Sequence, residues 1–89
     1  MNAILSVIGK DTVGILASVS NECVKYNANI IDVSQTVLEG FFTMVMVVNI
    51  DKLNVEFTKF VDKIKESGKE KKLEIHVMHE NIFNSMHKI

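Results

Sequence analysis

Eighty-nine residues carrying ten basic and eleven acidic side chains, net charge −1, make one domain with no room for a second core. The charge balance and the complete absence of arginine exclude the basic stripe of a nucleic-acid-binding module. A single cysteine, Cys23, allows no intrachain disulfide, and no apolar run reaches the roughly 18 residues of a membrane span, so a cytoplasmic protein with no membrane partner is expected.

The hydrophobic share is 47% and the mean hydropathy is +0.19. A chain this short buries only roughly 60–65% of its unfolded surface. The surplus apolar surface predicts a homodimer.

Taken in order, Ala3-Ile4-Leu5-Ser6-Val7-Ile8 is apolar at nearly every position and closes at Gly9, which predicts a strand buried on both faces. Met1–Ile8 is too short for a signal core, and no basic residue precedes it. Lys10–Val13 reads as a loop. Ile15, Leu16, Val19, Cys23 and Tyr26 then recur at helical spacing, with Asp11 or Thr12 suited to cap the helix and Asn27-Ala28-Asn29 to end it.

Ile31, Val33 and Val37 alternate with Asp32, Ser34 and Thr36, a half-exposed strand whose apolar face is broken by Gln35. Glu39-Gly40 is a tight turn into Phe41–Ile50, so the two strands form a hairpin. The second is apolar on both faces and is expected to be central and covered on both sides. Asn54 is placed to cap a helix carrying Phe57, Phe60, Val61 and Ile64, and Ser67-Gly68 to end it with Gly68 left-handed. Leu73, Ile75 and Val77 give a last strand. Ile82, Phe83, Met86 and Ile89 share one face of a short C-terminal helix.

The resulting order predicts an α+β, ferredoxin-like βαββαβ sandwich: a four-stranded antiparallel sheet with two helices on one face, its first and third strands central. Residues 1–80 form the domain and 81–89 a helical tail. With helices on one face only, the other face needs a partner sheet, the tail, or both.

The Gly9–Leu16 stretch concentrates two glycines and an acidic residue at one strand-to-helix junction. Backbone N–H groups at a helix N-terminus favour an anionic ligand group. Spacing alone also allows a purely structural role, with Gly14 permitting close packing and Asp11 capping the helix. The two-glycine spacing lacks the Lys-Ser/Thr ending of a phosphate-binding loop.

Catalytic chemistry is not expected, and no metal or other cofactor is implied. His76 and His79, three apart on a strand, point to opposite faces, and His87 is the only other imidazole. Cys23 falls on an apolar helix face and reads as core. Lys63–Lys72, interleaved with Glu66 and Glu70, reads as a solvated helix end. An RNA-binding sheet would show aromatic and basic residues where this chain has Asp32, Ser34 and Thr36.

Val-Ile-Gly-Lys-Asp-Thr-Val-Gly-Ile at 7–15, Asn-Ile-Ile-Asp-Val-Ser-Gln-Thr at 29–36 and Phe-Phe-Thr-Met at 41–44 resemble the small stand-alone ACT-domain proteins of bacteria and archaea. A looser likeness links the chain to the ACT repeats of glycine-cleavage repressors. The resemblance implies a regulatory module that binds a free amino acid at a homodimer interface. It implies a ligand site made of Gly9, Lys10, Asp11, Thr12, Val13, Gly14, Ile15 and Leu16 with Asn29 and Ile30. Asp11 would lie near the ligand's amino group, the backbone at Ile15 and Leu16 by its carboxylate, and Asn29 would reach it across the interface.

Two positions depart from the family pattern: Val13 stands where many members have proline, and Gly9 where some have a ligand-contacting histidine. Both bear on which ligand is bound, not on the fold. The alternative function is a dimerisation or interaction module that regulates an unidentified protein target without any ligand.

Overall fold

The computed structural model describes residues 1–10 and 14–82. Its elements are β1 (Asn2–Gly9), α1 (Ile15–Lys25), β2 (Asn29–Leu38), β3 (Phe41–Asn49), α2 (Phe57–Glu70) and β4 (Glu74–His79). The strands form one antiparallel sheet in the order β2-β3-β1-β4, with the two apolar runs in the centre as their composition requires. Phe60 and Ile64 of α2 and Ile15, Val19 and Cys23 of α1 close one core with Leu5, Val7, Met44, Met46 and Val48 of the central strands. This is the ferredoxin-like arrangement.

The central strands are not covered on both sides. In β1, Ala3, Leu5, Val7 and Gly9 are buried, while Asn2, Ile4, Ser6 and Ile8 are only half-buried. In β3, Phe42, Met44, Met46 and Val48 are buried while Thr43, Val45, Val47 and Asn49 are half-buried. The register places Ile4 between Val47 and Met78, so an apolar row crosses three strands on the face away from the helices. α1 and α2 lie on one side only, so burial alternates even where apolar residues such as Ile4, Ile8, Val45 and Val47 fall on the other.

β2 pairs with β3 through a bulge: Ile30 faces Val48, and Asp32, not Ile31, faces Val47. The extra residue reverses the alternation. Ile30 therefore joins Val33 against the core and Ile31 is 53% exposed, whereas the simple alternation had put Ile31 inside. The turn into β3 has Glu39 at φ 51° and Gly40 at φ 81°, two left-handed residues in sequence, the geometry of a tight hairpin.

Both helices end the same way. Asn27 (φ 62°) follows α1, with its N–H donating to the Val24 carbonyl and the Ala28 N–H to the Cys23 carbonyl. Lys72 (φ 58°) follows α2, its N–H donating to the Lys69 carbonyl and the Leu73 N–H to the Gly68 carbonyl. Each pair of bonds satisfies carbonyls the helix leaves open, and the next residue, Ala28 or Leu73, is buried beneath the turn.

Gly68 thus lies inside α2 and not at its end. A Cβ there would stand 2.7 Å from Ile75 Cδ1, so the glycine lets α2 sit close on β4. Asn54 is likewise no cap for α2, whose N-cap position is Glu56. Its Nδ2 donates to the Lys25 carbonyl at 3.0 Å, and its N–H to the Tyr26 carbonyl, so it closes the end of α1 instead. Glu80, Asn81 and Ile82 begin a helix after β4; Phe83, Met86, His87 and Ile89 lie outside the described residues.

Candidate functional site

β1 runs straight into the junction that precedes α1. Gly9 is buried at its end, and a Cβ there would meet Leu73 Cδ2 at 2.5 Å and Ile15 Cδ1 at 3.5 Å. Close packing is therefore the role of Gly9. Gly14, by contrast, occupies the N-cap position of α1 at φ 75°, and among the described residues nothing lies within 4 Å of where its Cβ would be. Its requirement is conformational, since side-chain-bearing residues are strained there. The Gly14 carbonyl accepts the Ser18 N–H at 2.9 Å, which starts the helix, and no side chain caps it. Asp11, Thr12 and Val13, with the expected cap at Asp11 or Thr12, lie outside the described residues.

Around this junction lies an open cleft of about 730 Å³. Ile8, Ile15, Leu73 and Phe41 supply its apolar wall, Gly9 and Gly14 its backbone, and Ser18 a hydroxyl. Lys10, Lys71, Lys72 and Glu74 supply its charge. The Lys10 ammonium stands over the Phe41 ring, 5.9 Å from its centre, a cation–π contact across the β1 and β3 ends.

Of the residues singled out from sequence, Gly9, Lys10, Gly14 and Ile15 come together here. Leu16 turns outward, 38% exposed, and takes no part in the cleft wall. Asn29 and Ile30 are elsewhere. Asn29 pairs with Asn49, which pairs with Asn2, so Asn29 is at the far end of the sheet, about 23 Å from Gly9 along the strand direction at the usual rise of a strand. Asn29 lines a second cleft of about 530 Å³ with Asn27, Asn49 and Lys52. Ile30 is half-buried against the core. One chain alone does not bring the two groups together.

Phe41, Ser18, Lys71, Lys72 and Leu73 are cleft residues that sequence reasoning did not mark. Pairing supplies the signal in retrospect: Gly9 lies opposite Phe42, and Ile8 opposite Glu74, so the start of β3 and the α2–β4 turn must flank the junction.

Other reactive groups lie apart from the cleft. Cys23 is fully buried, and burial, with a smaller contribution from Glu22, pushes its thiol up to about 11. Asp51 is held below the usual carboxylate range by its hydrogen bond from the N-terminal ammonium, at 2.7 Å, and then by Asn49. His76 points to the open face, 3.1 Å from Glu74, while His79 packs edge-on against Phe57 on the other. Among the described residues no group of three His, Cys, Asp or Glu side chains is placed to hold a metal ion. Among them, too, no helix is long and apolar enough to cross a membrane.

The family model described as ACT domain matches residues 2–78. A UPF0237 protein of Listeria innocua is 47% identical over 89 residues, covering 100% of both chains. One of Methanocaldococcus jannaschii is 40% identical, over 97% of this chain and 96% of that protein. Among solved structures, an ACT domain protein from Streptococcus pneumoniae superposes with a TM-score of 0.83 at 38% identity, over 93% of each chain. A putative glycine cleavage system transcriptional repressor superposes at 0.77 over 85% of this chain and 44% of its own, at 9% identity, a likeness of fold alone.

Proposed function

The chain belongs to the ACT-domain family, and on that premise we propose that it is a regulatory sensor that binds a free amino acid between two copies of itself. The observation that carries this reading is the separation of its two halves. The cleft beside Gly14 and Ile15 offers backbone N–H groups at a helix start, suited to a carboxylate. Asn29, at the other end of the sheet, reaches such a ligand only from a second copy. Asp11 is assigned to the ammonium group by likeness to the family.

The half-buried apolar row Ile4, Val47 and Met78 supports association, because a monomer gains nothing from leaving its open side in water. The same row favours a second reading, a module that docks on a partner protein without a ligand. Titration calorimetry against all free amino acids at millimolar concentration, with the mass in solution measured alongside, separates the two. The sensor reading expects heat from at least one amino acid and a dimer. A dimer that binds none supports the second reading and removes the first.

A further inference from the structure

Among its described residues, the wall of the Gly9 cleft carries an excess of positive charge that recognition of a neutral amino acid would not use. Among the described residues, Lys10, Lys71 and Lys72 line it against the carboxylate of Glu74, while Asp11 is the acid assigned above to the ligand's ammonium group. The Glu74 carboxylate lies 3.1 Å from His76 Nε2, within hydrogen-bond reach. Among the described residues no carboxylate comes within ion-pairing distance of the three ammonium groups.

The fold fixes the backbone from which two of the three side chains project. Lys71 and Lys72 form the turn that ends α2, fixed by the bonds from Lys72 N–H to the Lys69 carbonyl at 3.2 Å and from Leu73 N–H to the Gly68 carbonyl at 2.8 Å. Leu73 anchors the turn in the core. Lys72 keeps a lysine in a left-handed conformation, φ 58°, that glycine would adopt without strain. At the matching point of α1 the chain uses Asn27, a residue that tolerates the conformation. The turn beside the cleft therefore retains a cation at a position where charge is not what the backbone asks for.

We infer that the ligand of this cleft is an acidic amino acid, with its α-carboxylate at the Gly14 end and its side-chain carboxylate received by Lys71 and Lys72. The inference rests on the sensor reading and names its ligand class. The apolar wall of Ile8, Ile15 and Leu73 fits the methylene carbons between the two acids. Ammonium groups on a cleft wall act over the roughly 8 Å that salt leaves unscreened at physiological strength.

The test is calorimetric titration of the full chain with glutamate and aspartate, each beside its amide glutamine or asparagine, and with glutarate, which lacks the amino group. Two exposed lysines predict an acid-over-amide preference of up to roughly 30-fold, shrinking as salt is raised. In a Lys71→Gln/Lys72→Gln variant with an unchanged unfolding midpoint, the preference should fall to within about 2-fold of unity. Amides that bind as well as the acids overturn this inference and leave the sensor reading standing. Glutarate binding as tightly as glutamate keeps the charge assignment but removes the amino acid. An absence of heat from all five compounds overturns this inference, and the titration against every free amino acid then decides the sensor reading.

Discussion

The two faces of the sheet are built from similar residues on the central strands but have different surroundings. Toward the helices, Leu5, Val7, Met44, Met46 and Val48 are completely buried. Away from them, Ile4, Ile8, Val45 and Val47 are only half-buried. Apolarity at every position therefore does not mean coverage at every position. On one face it records the core of a single chain, and on the other a demand for apolar contact that the described residues do not meet.

The largest expected effect tests that contrast directly. Phe60, fully buried between Tyr26, Phe57 and the sheet, should cost about 3–5 kcal/mol when changed to alanine, a large part of a small domain's stability. Val47→Ala on the open face should cost under about 1 kcal/mol in dilute solution. Urea unfolding at several protein concentrations measures both. If the cost of Val47→Ala rises with concentration, a second copy covers this face; if it is large and constant, the two faces are alike within one chain and the contrast is lost.

Periodicity was enough to read the elements because each obeys a local rule. Phe57, Phe60, Val61 and Ile64 mark α2, Glu39-Gly40 marks the hairpin, and the two apolar runs identify the central strands. The sequence was silent where a rule depends on a neighbour distant in the chain. The bulge that exchanges Ile30 for Ile31 depends on register with β3. Gly68 reads as a helix stop, yet it serves Ile75 seven residues later. Asn54 reads as a cap for the helix that follows it, yet it bonds the one before. The cleft followed the same pattern: its Gly9–Ile15 side was legible from the loop, whereas Lys71, Lys72 and Phe41 arrive only through strand pairing.

Cys23 sharpens the contrast on the covered face. Its thiol, raised to about 11 by burial, stays protonated in the folded chain while an unfolded thiol ionises near its ordinary 9.0. A raised folded value stabilises the native state fully below the unfolded value and loses that contribution as pH climbs toward the folded one. The wild type should therefore lose about 2–3 kcal/mol more than Cys23→Ala between pH 9 and pH 11. Matching slopes in pH-dependent urea unfolding would mean that the thiol meets water and the helix layer is not closed there.

Gly68→Ala probes how tightly that layer sits. In an exposed helix interior the change gains about 1 kcal/mol. Here the new methyl would meet Ile75 Cδ1 at 2.7 Å and the Leu73 carbonyl oxygen at 3.2 Å, so a net loss of about 1–2 kcal/mol is expected in denaturant unfolding. A net gain would show that α2 has room to move away from β4.

The smallest effect falls where the covered side opens into the cleft. Lys72→Gly removes the strain of a left-handed lysine and should stabilise the chain by about 0.5–1 kcal/mol, whereas Asn27→Gly at the matching turn should gain less, because asparagine already tolerates that geometry. Thermal unfolding of the pair reads the difference. The same Lys72→Gly change takes a cation from the cleft wall, so a more stable protein should bind an acidic ligand less well. Stability and recognition would then pull in opposite directions at a single residue, as they do where a fold keeps local strain for the sake of a site. A variant that gains stability with no loss of acid-over-amide preference would assign that lysine to the helix end alone.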